Sequence, residues 1–141
     1  MTGETALLKQ IMLALGCQSD LRIWRHNTGR LWSGSQFIEP ARNQIIKDSR
    51  GRVQKLEITD IIIKNPRPVS FGCPGSGDLI GILAPKGKFI SIEVKTSNGK
   101  QSQQQKNFEK MIKQFGGHYI VAHSADEAIK QIDKIRQTEN E

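Results

Sequence analysis

The sequence has few cysteines and no long apolar run. Cys17 and Cys73 are isolated and form no Cys-x-x-Cys pair, so neither a zinc site nor a disulfide framework is indicated, and we expect both thiols to be reduced. No stretch approaches the roughly 18 apolar residues that a membrane span needs. The first residues also do not follow the basic-then-apolar pattern of a signal peptide. We therefore expect a soluble, cytoplasmic protein.

Acidic residues are outnumbered by basic ones. The chain has 14 Asp and Glu against 21 Lys and Arg, a formal net charge of +7 and an isoelectric point near 9.7. This balance favours a polyanionic partner such as nucleic acid, although a basic surface that serves only solubility has the same composition. With 141 residues, the chain has room for one core of ordinary size, and we expect a single domain.

Apolar spacing and turn residues predict the main elements. Helical periodicity appears from Thr2 to Leu15, from Ser102 to Phe115, and after Ser124. Strand-like alternation marks Leu21 to Thr28 and His118 to Ala122. The pattern of residues 44–57 predicts a hairpin that turns at residues 48–51.

The middle third of the chain is basic. Each of its charges is typical of a solvated strand edge, whereas as a group they suit a surface that follows phosphates. The residues concerned are Arg22, Arg25, Arg30, Arg42, Lys47, Arg50, Arg52, Lys55, Lys64 and Arg67.

Two charged residues interrupt the apolar strand from Phe89 to Lys95. Alternation places Ile90, Ile92 and Val94 on one face, which we expect to face the core. Glu93 and Lys95 then lie together on the opposite face. They need an electrostatic or chemical explanation.

Asp78 opens the preceding strand, and residues 84–87 form the turn between the two. A two-residue loop would place Asp78 opposite Glu93, and a four-residue loop would place it opposite Lys95. A three-residue loop would pair Asp78 with Val94 and separate the charged groups, unless a bulge redirects the aspartate. The sequence leaves these registers open.

Two carboxylates about 5 Å apart on neighbouring strands can bind a hard divalent cation. Such an ion would acidify a water molecule and offset charge on a phosphoryl oxygen, and Lys95 would orient that water or stabilise the transition state. The alternative is a cross-strand ion pair on a wet sheet face. The preceding loop, Gly72 to Gly77, permits close approach of a phosphate but lacks the Gly-Lys-Ser/Thr of a P-loop.

These residues resemble the PD-(D/E)XK nuclease superfamily and, within it, the VRR-NUC family. The resemblance spans most of the chain and leaves only residues 31–70 without a clear counterpart. The matching pieces are Glu4, WRHNTGR from Trp24 to Arg30, FGCPGSGDLIGIL from Phe71 to Leu83, ISIEVKTSNGKQS from Ile90 to Ser102, Gln105, and Gly116-Gly117.

The resemblance implies a role for each matching position in the site. Asp78 and Glu93 would bind the metal, Val94 would add its main-chain carbonyl, and Lys95 would be the catalytic lysine. Gln105 would be an active-site polar residue, although a capping box with Ser102 explains it equally well.

Glu4 would reach the metal or its water, although a carboxylate at a helix N-terminus needs no such role. The residues that would bind nucleic acid are Arg25, Asn27, Arg30, Ser76 and Lys100. For Arg25 and Asn27, hydrogen bonds at a strand edge are the alternative.

The fold class implied is α/β, a restriction-endonuclease-like core with a mixed sheet of four to five strands flanked by helices. A basic β-hairpin would be inserted at about residues 31–70 of one domain, as a substrate arm or a dimer element. The implied activity is an endonuclease that uses Mg²⁺ or Mn²⁺ and cuts branched DNA, such as Holliday junctions, as a homodimer in a bacterial or phage context. The alternatives are a restriction-type or flap nuclease of the same fold, and a binding module without activity.

Overall fold

Helices and strands both occur toward the two ends of the chain, and the elements described in its middle are strands. The computed structural model describes residues 3–34, 36–38, 45–55 and 62–139. In chain order the elements are α1 (Gly3–Gly16), β1 (Leu21–Arg25), β2 (Gly29–Ser33), β3 (Gln36–Ile38), β4 (Ile45–Lys47), β5 (Val53–Lys55), β6 (Ile62–Lys64), β7 (Arg67–Phe71), β8 (Leu79–Leu83), β9 (Lys88–Val94), α2 (Gln103–Gln114), β10 (His118–Ala122) and α3 (Ala125–Glu139).

The chain divides into two compact units, residues 1–28 with 72–141, and residues 29–71. Whether both belong to one nuclease domain with an insertion at about 31–70 stays a prediction. Within the described residues, no helix has the length and apolar character that crossing a membrane requires.

A four-stranded mixed sheet is the centre of the first unit. Its strand order is β1-β8-β9-β10, and β1, β8 and β9 are antiparallel neighbours, whereas β10 runs parallel to β9. A parallel neighbour requires a crossover connection, and α2 provides it. The predicted fold class, a restriction-endonuclease-like α/β core with four to five strands, is confirmed.

One face of β9 forms the hydrophobic core, as its alternation predicts. Ile90, Ile92 and Val94 have no solvent-exposed surface. They belong to one buried cluster that includes Ile11 of α1 and Ile132 of α3. These two helices therefore cover the same face of the sheet.

The opposite face of β9 is also buried, which the sequence did not predict. Ser91 is 0% exposed and Glu93 only 3% exposed. Phe108 of α2 packs edge-on against Tyr119 of β10, with ring centroids 6.1 Å apart. The alternative of an ion pair on a wet sheet face is therefore wrong in one respect: the face is not wet around Glu93, because α2 packs over it.

The second unit is built from paired strands that share one register. The ladders β2-β7, β3-β6 and β4-β5 are all antiparallel. Two residues on each strand separate the pair Ser33/Arg67 from the pair Gln36/Lys64, and six on each strand separate Ile38/Ile62 from Ile45/Lys55. The three two-stranded ladders therefore share one antiparallel register, and the unit that contains them is here called the 29–71 ribbon.

The predicted turn at residues 48–51 connects β4 and β5. The Gly51 amide donates to the Asp48 carbonyl, and the Asp48 amide donates to the Arg52 carbonyl. Gly51 has φ of +76°, a conformation that glycine adopts without steric cost. The hairpin prediction is confirmed for residues 45–55, and its predicted ends at Gln44 and Glu57 lie outside the described residues.

Arg136 connects α3 to the segment that leads into β1. Its Nε and Nη2 donate to the two carboxylate oxygens of Asp20 at 2.8 and 2.6 Å, and Nη2 also donates to Gln18 Oε1. The hydrogen bonds from Arg136 hold the pKa of Asp20 below its ordinary 3.8, against the opposing effect of its partial burial.

We predict that Arg136→Gln lowers the free energy of unfolding by about 1 kcal/mol near neutral pH, since the pair is bidentate but partly exposed and screened by solvent. Folding lowers the pKa of Asp20, so the ion pair contributes to the free energy of unfolding above pH 3.8. This contribution is lost as pH falls through the folded-state pKa of Asp20. Urea unfolding at pH 6 and pH 3 measures this, with Lys134→Gln as the control on the same helix. An equal difference from wild type at both pH values would contradict the ion pair.

Candidate active site

The register of the β8-β9 hairpin brings Asp78 and Glu93 together. The pairs run from Leu79/Ile92 to Leu83/Lys88. Continuing the same register by one residue places Asp78 opposite Glu93, on the same face of the sheet. The register of the two-residue loop is confirmed, and those of the three- and four-residue loops are wrong. Strand β8 begins at Leu79, one residue after its predicted start.

Main-chain hydrogen bonds hold Asp78 at the end of the sheet. The Val94 amide donates to Asp78 Oδ2 at 2.9 Å, and the Asp78 carbonyl accepts the His26 amide at 2.8 Å. The N–H and C=O of one strand residue point to the same side of the strand. The Val94 carbonyl is therefore directed toward the side on which Asp78 lies.

Glu93 is the buried member of the pair. Its Oε1 lies 2.7 Å from Lys95 Nζ and accepts a hydrogen bond from Gln105 Nε2 at 2.5 Å. Burial raises the pKa of Glu93, the hydrogen bond from Lys95 opposes this effect, and the charge of Asp78 adds to the rise. The two carboxylates thus repel each other, while Lys95 offsets part of the charge.

Lys95 is held between acidic groups. Its side chain is 16% exposed. Burial lowers its pKa, but the hydrogen bond to Glu93 and the charges of Glu93, Glu4 and Asp78 raise it, and the net result is a pKa above the ordinary value. Lys95 is therefore a fixed cation at neutral pH.

Glu4 lies in the first turn of α1 and is exposed. Its charge acts on Lys95, which places it toward the same end of the sheet. The position is that of a helix N-terminal carboxylate, and a role of Glu4 at the metal or its water stays a prediction.

Gln105 caps a helix and contacts the site at once. The main-chain amide of Gln105 donates to Ser102 Oγ, and the side-chain Oε1 of Gln105 accepts a hydrogen bond from the main-chain amide of Ser102. These two bonds form the predicted capping box. The Nε2 of Gln105 remains available for Glu93. The capping role and the active-site role of Gln105 are therefore compatible, because the cap uses its main-chain N–H and side-chain Oε1, whereas the contact with Glu93 uses Nε2.

The glycine-rich loop before Asp78 packs closely on the protein itself. A Cβ on Gly77 would lie 2.4 Å from the Ile92 carbonyl oxygen, and one on Gly75 would lie 2.3 Å from that of Gln104. Ser76 is 8% exposed, and its hydroxyl donates to the Cys73 carbonyl at 2.7 Å. The contacts of these residues give the loop a structural role, and a phosphate contact from Ser76 stays a prediction.

The other predicted nucleic-acid contacts are exposed. Arg25 and Asn27 flank His26, whose main-chain amide donates to the Asp78 carbonyl, so both are next to a residue that contacts the Asp78 main chain. Lys100 is exposed in the connection from β9 to α2, and Arg30 is exposed in the 29–71 ribbon. Their roles stay predictions.

Two buried residues of this region were missed by the sequence reasoning. Ser91 Oγ accepts the Gly77 amide at 3.0 Å, which holds the loop against β9. Tyr119 Oη lies 3.4 Å from the Gly75 carbonyl oxygen, and burial raises the pKa of this tyrosine. Ser91 shares the polar face of β9 with Glu93 and could have been found by alternation, whereas no local pattern marks Tyr119.

The donor set suits a hard cation that keeps water and substrate ligands. Among the described residues, no group of three His, Cys, Asp or Glu side chains could hold a metal ion. Asp78 and Glu93 supply two carboxylates, and the Val94 carbonyl adds another hard oxygen. Mg²⁺ is commonly bound by one or two carboxylates, with water and substrate phosphates as the other ligands. The residues therefore fit Mg²⁺ or Mn²⁺, rather than an ion held wholly by protein side chains.

Comparison with known families gives one match. The model of the VRR-NUC domain matches residues 15–126, more than half of the chain. Asp78, Glu93, Lys95 and Gln105 lie inside the matched range, whereas Glu4 precedes it. No curated protein and no solved structure matches the chain.

We predict that Ser102→Ala and Gln105→Ala separate the two roles of Gln105. Ser102→Ala removes one capping hydrogen bond, so it should lower the free energy of unfolding by about 1 kcal/mol and leave DNA hydrolysis close to wild type. Gln105→Ala also removes the contact with Glu93, so it should slow hydrolysis by about 10-fold or more. Urea unfolding and single-turnover rates measure the two effects. Equal loss of rate in both variants would show that only the helix cap matters.

Proposed function

The chain belongs to the VRR-NUC family, whose domain carries a nuclease-type function on DNA, and from this premise we propose that it is an endodeoxyribonuclease dependent on Mg²⁺ or Mn²⁺. The proposal depends on one observation, the β8-β9 register, which when continued by one residue sets Asp78 opposite Glu93. Lys95 lies in contact with the second of them. Nucleases of this family generally use a divalent metal ion.

The residues that would hold the ion are Asp78, Glu93 and, through its carbonyl, Val94. When bound, the ion supplies a Lewis acid that lowers the pKa of a water molecule and offsets charge on the phosphodiester. The burial of Glu93 excludes bulk water from this side of the site, which strengthens each electrostatic interaction there.

Lys95 and Gln105 have separate tasks in this proposal. The ammonium of Lys95 donates hydrogen bonds and cannot accept a proton, so it stabilises the negative charge that develops on the phosphoryl oxygens. Gln105 holds the orientation of the Glu93 carboxylate by the hydrogen bond to Oε1. Glu4 adds negative charge near Lys95, which keeps the lysine protonated.

We predict that Asp78→Asn and Glu93→Gln each reduce Mg²⁺-dependent cleavage by more than about 100-fold, because each removes a carboxylate that stabilises transition-state charge through the ion. DNA binding without Mg²⁺ should be kept or tightened, since one charge that repels phosphate is lost. Cleavage assays and fluorescence anisotropy measure the two quantities.

The matched control for these variants is Glu109→Gln. Glu109 is a carboxylate on α2 that contacts Gln101 and Lys113, and its loss should leave the rate of cleavage close to wild type. Absence of metal-dependent cleavage in the wild-type protein would favour the rival function, a nucleic-acid-binding module in which Glu93 and Lys95 form only an ion pair.

Branched DNA is the substrate class that we propose, with a homodimer as the active form. The chain has a mass of 15.8 kDa, and its first unit contains one Asp78-Glu93 pair, so a single copy offers one cleavage site at that pair. A two-fold dimer would present two equivalent sites to two strands of a junction. The net charge of +7 supports binding where several phosphate backbones converge.

We predict that a four-way junction is cleaved at least about 10-fold faster than linear duplex or a flap at the same salt concentration, because only the junction engages both sites of a dimer. Light scattering should give twice the mass of the chain. Equal cleavage of linear duplex would favour a restriction-type nuclease, and preferred cleavage of the flap would favour a flap nuclease. A strictly monomeric protein with and without DNA would exclude the dimer.

A further inference from the structure

We propose that the tip of the 29–71 ribbon, residues 45–55, binds the phosphate backbone of duplex DNA. This inference rests on the proposed nuclease function, and it chooses between the two roles that the sequence left open for the hairpin, a substrate arm and a dimer element. Residues 45–55 contain Lys47, Arg50, Arg52 and Lys55, and only one acidic residue, Asp48.

The architecture of the ribbon leaves the tip exposed. Of the residues of this unit whose burial is described, none is buried. Ile45 and Val53 are 66% and 63% exposed, and the side chain of Arg52 is 73% exposed. A two-stranded ribbon without a core is only marginally stable in water. Its outer surface is therefore available to a partner, and its width suits the major groove, which admits a two-stranded β-ribbon.

The one acidic residue of the tip is turned inward. Asp48 Oδ1 accepts the amides of Arg50 and Arg52 at 2.9 Å, and Oδ2 accepts Arg52 Nε at 2.6 Å. These bonds shape the turn and neutralise the carboxylate. The charges of Lys47 and Arg50, both exposed, take no part in the hydrogen bonds of the turn and are directed to solvent.

Charge selects DNA over a second copy of the chain. Four basic residues against one acidic residue give the tip a net charge of +3. Contact between two tips would bring like charges together. Binding of a tip to DNA is instead favoured, because its basic residues release the counterions that surround the phosphates. The tip therefore suits a substrate contact better than a contact between two copies of itself.

Composition selects duplex over single-stranded DNA. Proteins that bind single strands stack the bases on aromatic side chains. Residues 45–55 contain no aromatic residue. Lys and Arg suit the phosphates, and exposed Ile45 and Val53 suit the apolar surfaces of a groove, such as thymine methyl groups.

The test is the salt dependence of duplex binding by Lys47→Gln/Arg50→Gln. Neither replacement removes a hydrogen bond of the turn, because Arg50 contributes only its amide. If both side chains contact phosphate, the slope of log K against log salt concentration should fall by about 2, and binding should weaken on every duplex sequence. Binding is measured by anisotropy in EDTA, and circular dichroism confirms that the variant is folded.

The matched control is Lys130→Gln/Lys134→Gln, which removes the same charge from exposed positions of α3 and should leave the slope unchanged. An unchanged slope in the tip variant, or an equal change in both variants, would overturn the inference. A tip variant that loses self-association and keeps its DNA affinity would assign the tip to a dimer instead.

Cleavage separates this inference from the proposed function. If the wild-type protein cleaves DNA with Mg²⁺ and the tip variant keeps the wild-type salt slope, the DNA contact of the tip is rejected and the nuclease function is retained. Absence of cleavage in the wild type, with a reduced slope in the tip variant, would reject the nuclease and leave a DNA-binding ribbon.

Discussion

The hydrogen bond from the Val94 amide to Asp78 Oδ2 is the constraint on which the candidate site depends. It joins the residue that precedes β8 to the last residue of β9, so the aspartate carboxylate is held against the neighbouring strand. The hairpin register then places Glu93 on the same face. If the register of β9 shifted by one residue, Glu93 would move to the core face. Both the hydrogen bond to Asp78 and the placement of the two carboxylates on one face would then be lost.

Burial gives this pair its chemical character. Glu93 is 3% exposed, and a buried carboxylate is costly unless it is paired and hydrogen-bonded. Lys95 and Gln105 supply these contacts. Replacing a buried ion pair by apolar residues is often neutral or stabilising. The Glu93-Lys95 pair is therefore not explained by a contribution to the stability of the fold. Its position at the end of two strands, beside a second carboxylate, favours a role in binding a cation.

Some of this arrangement could be predicted from the sequence, because it follows from local periodicity. The alternation of β9 correctly separated Ile92 and Val94 from Glu93, since side-chain direction in a strand depends only on parity. The turn at residues 48–51 was predictable because its residues determine its conformation. The burial of Glu93 was not, since it depends on the tertiary packing of α2 over the polar face, which the alternation within β9 does not encode. Likewise, the pairing of Gly29 with Phe71 joins residues far apart in the chain and leaves no local signal.

The central claim is that Asp78 and Glu93 bind one divalent cation, and anomalous diffraction from crystals soaked in Mn²⁺ tests it most directly. The account predicts one anomalous peak within coordination distance of a carboxylate oxygen from each residue and of the Val94 carbonyl oxygen. A site without a peak at saturating Mn²⁺, or a peak that contacts neither carboxylate, would contradict it.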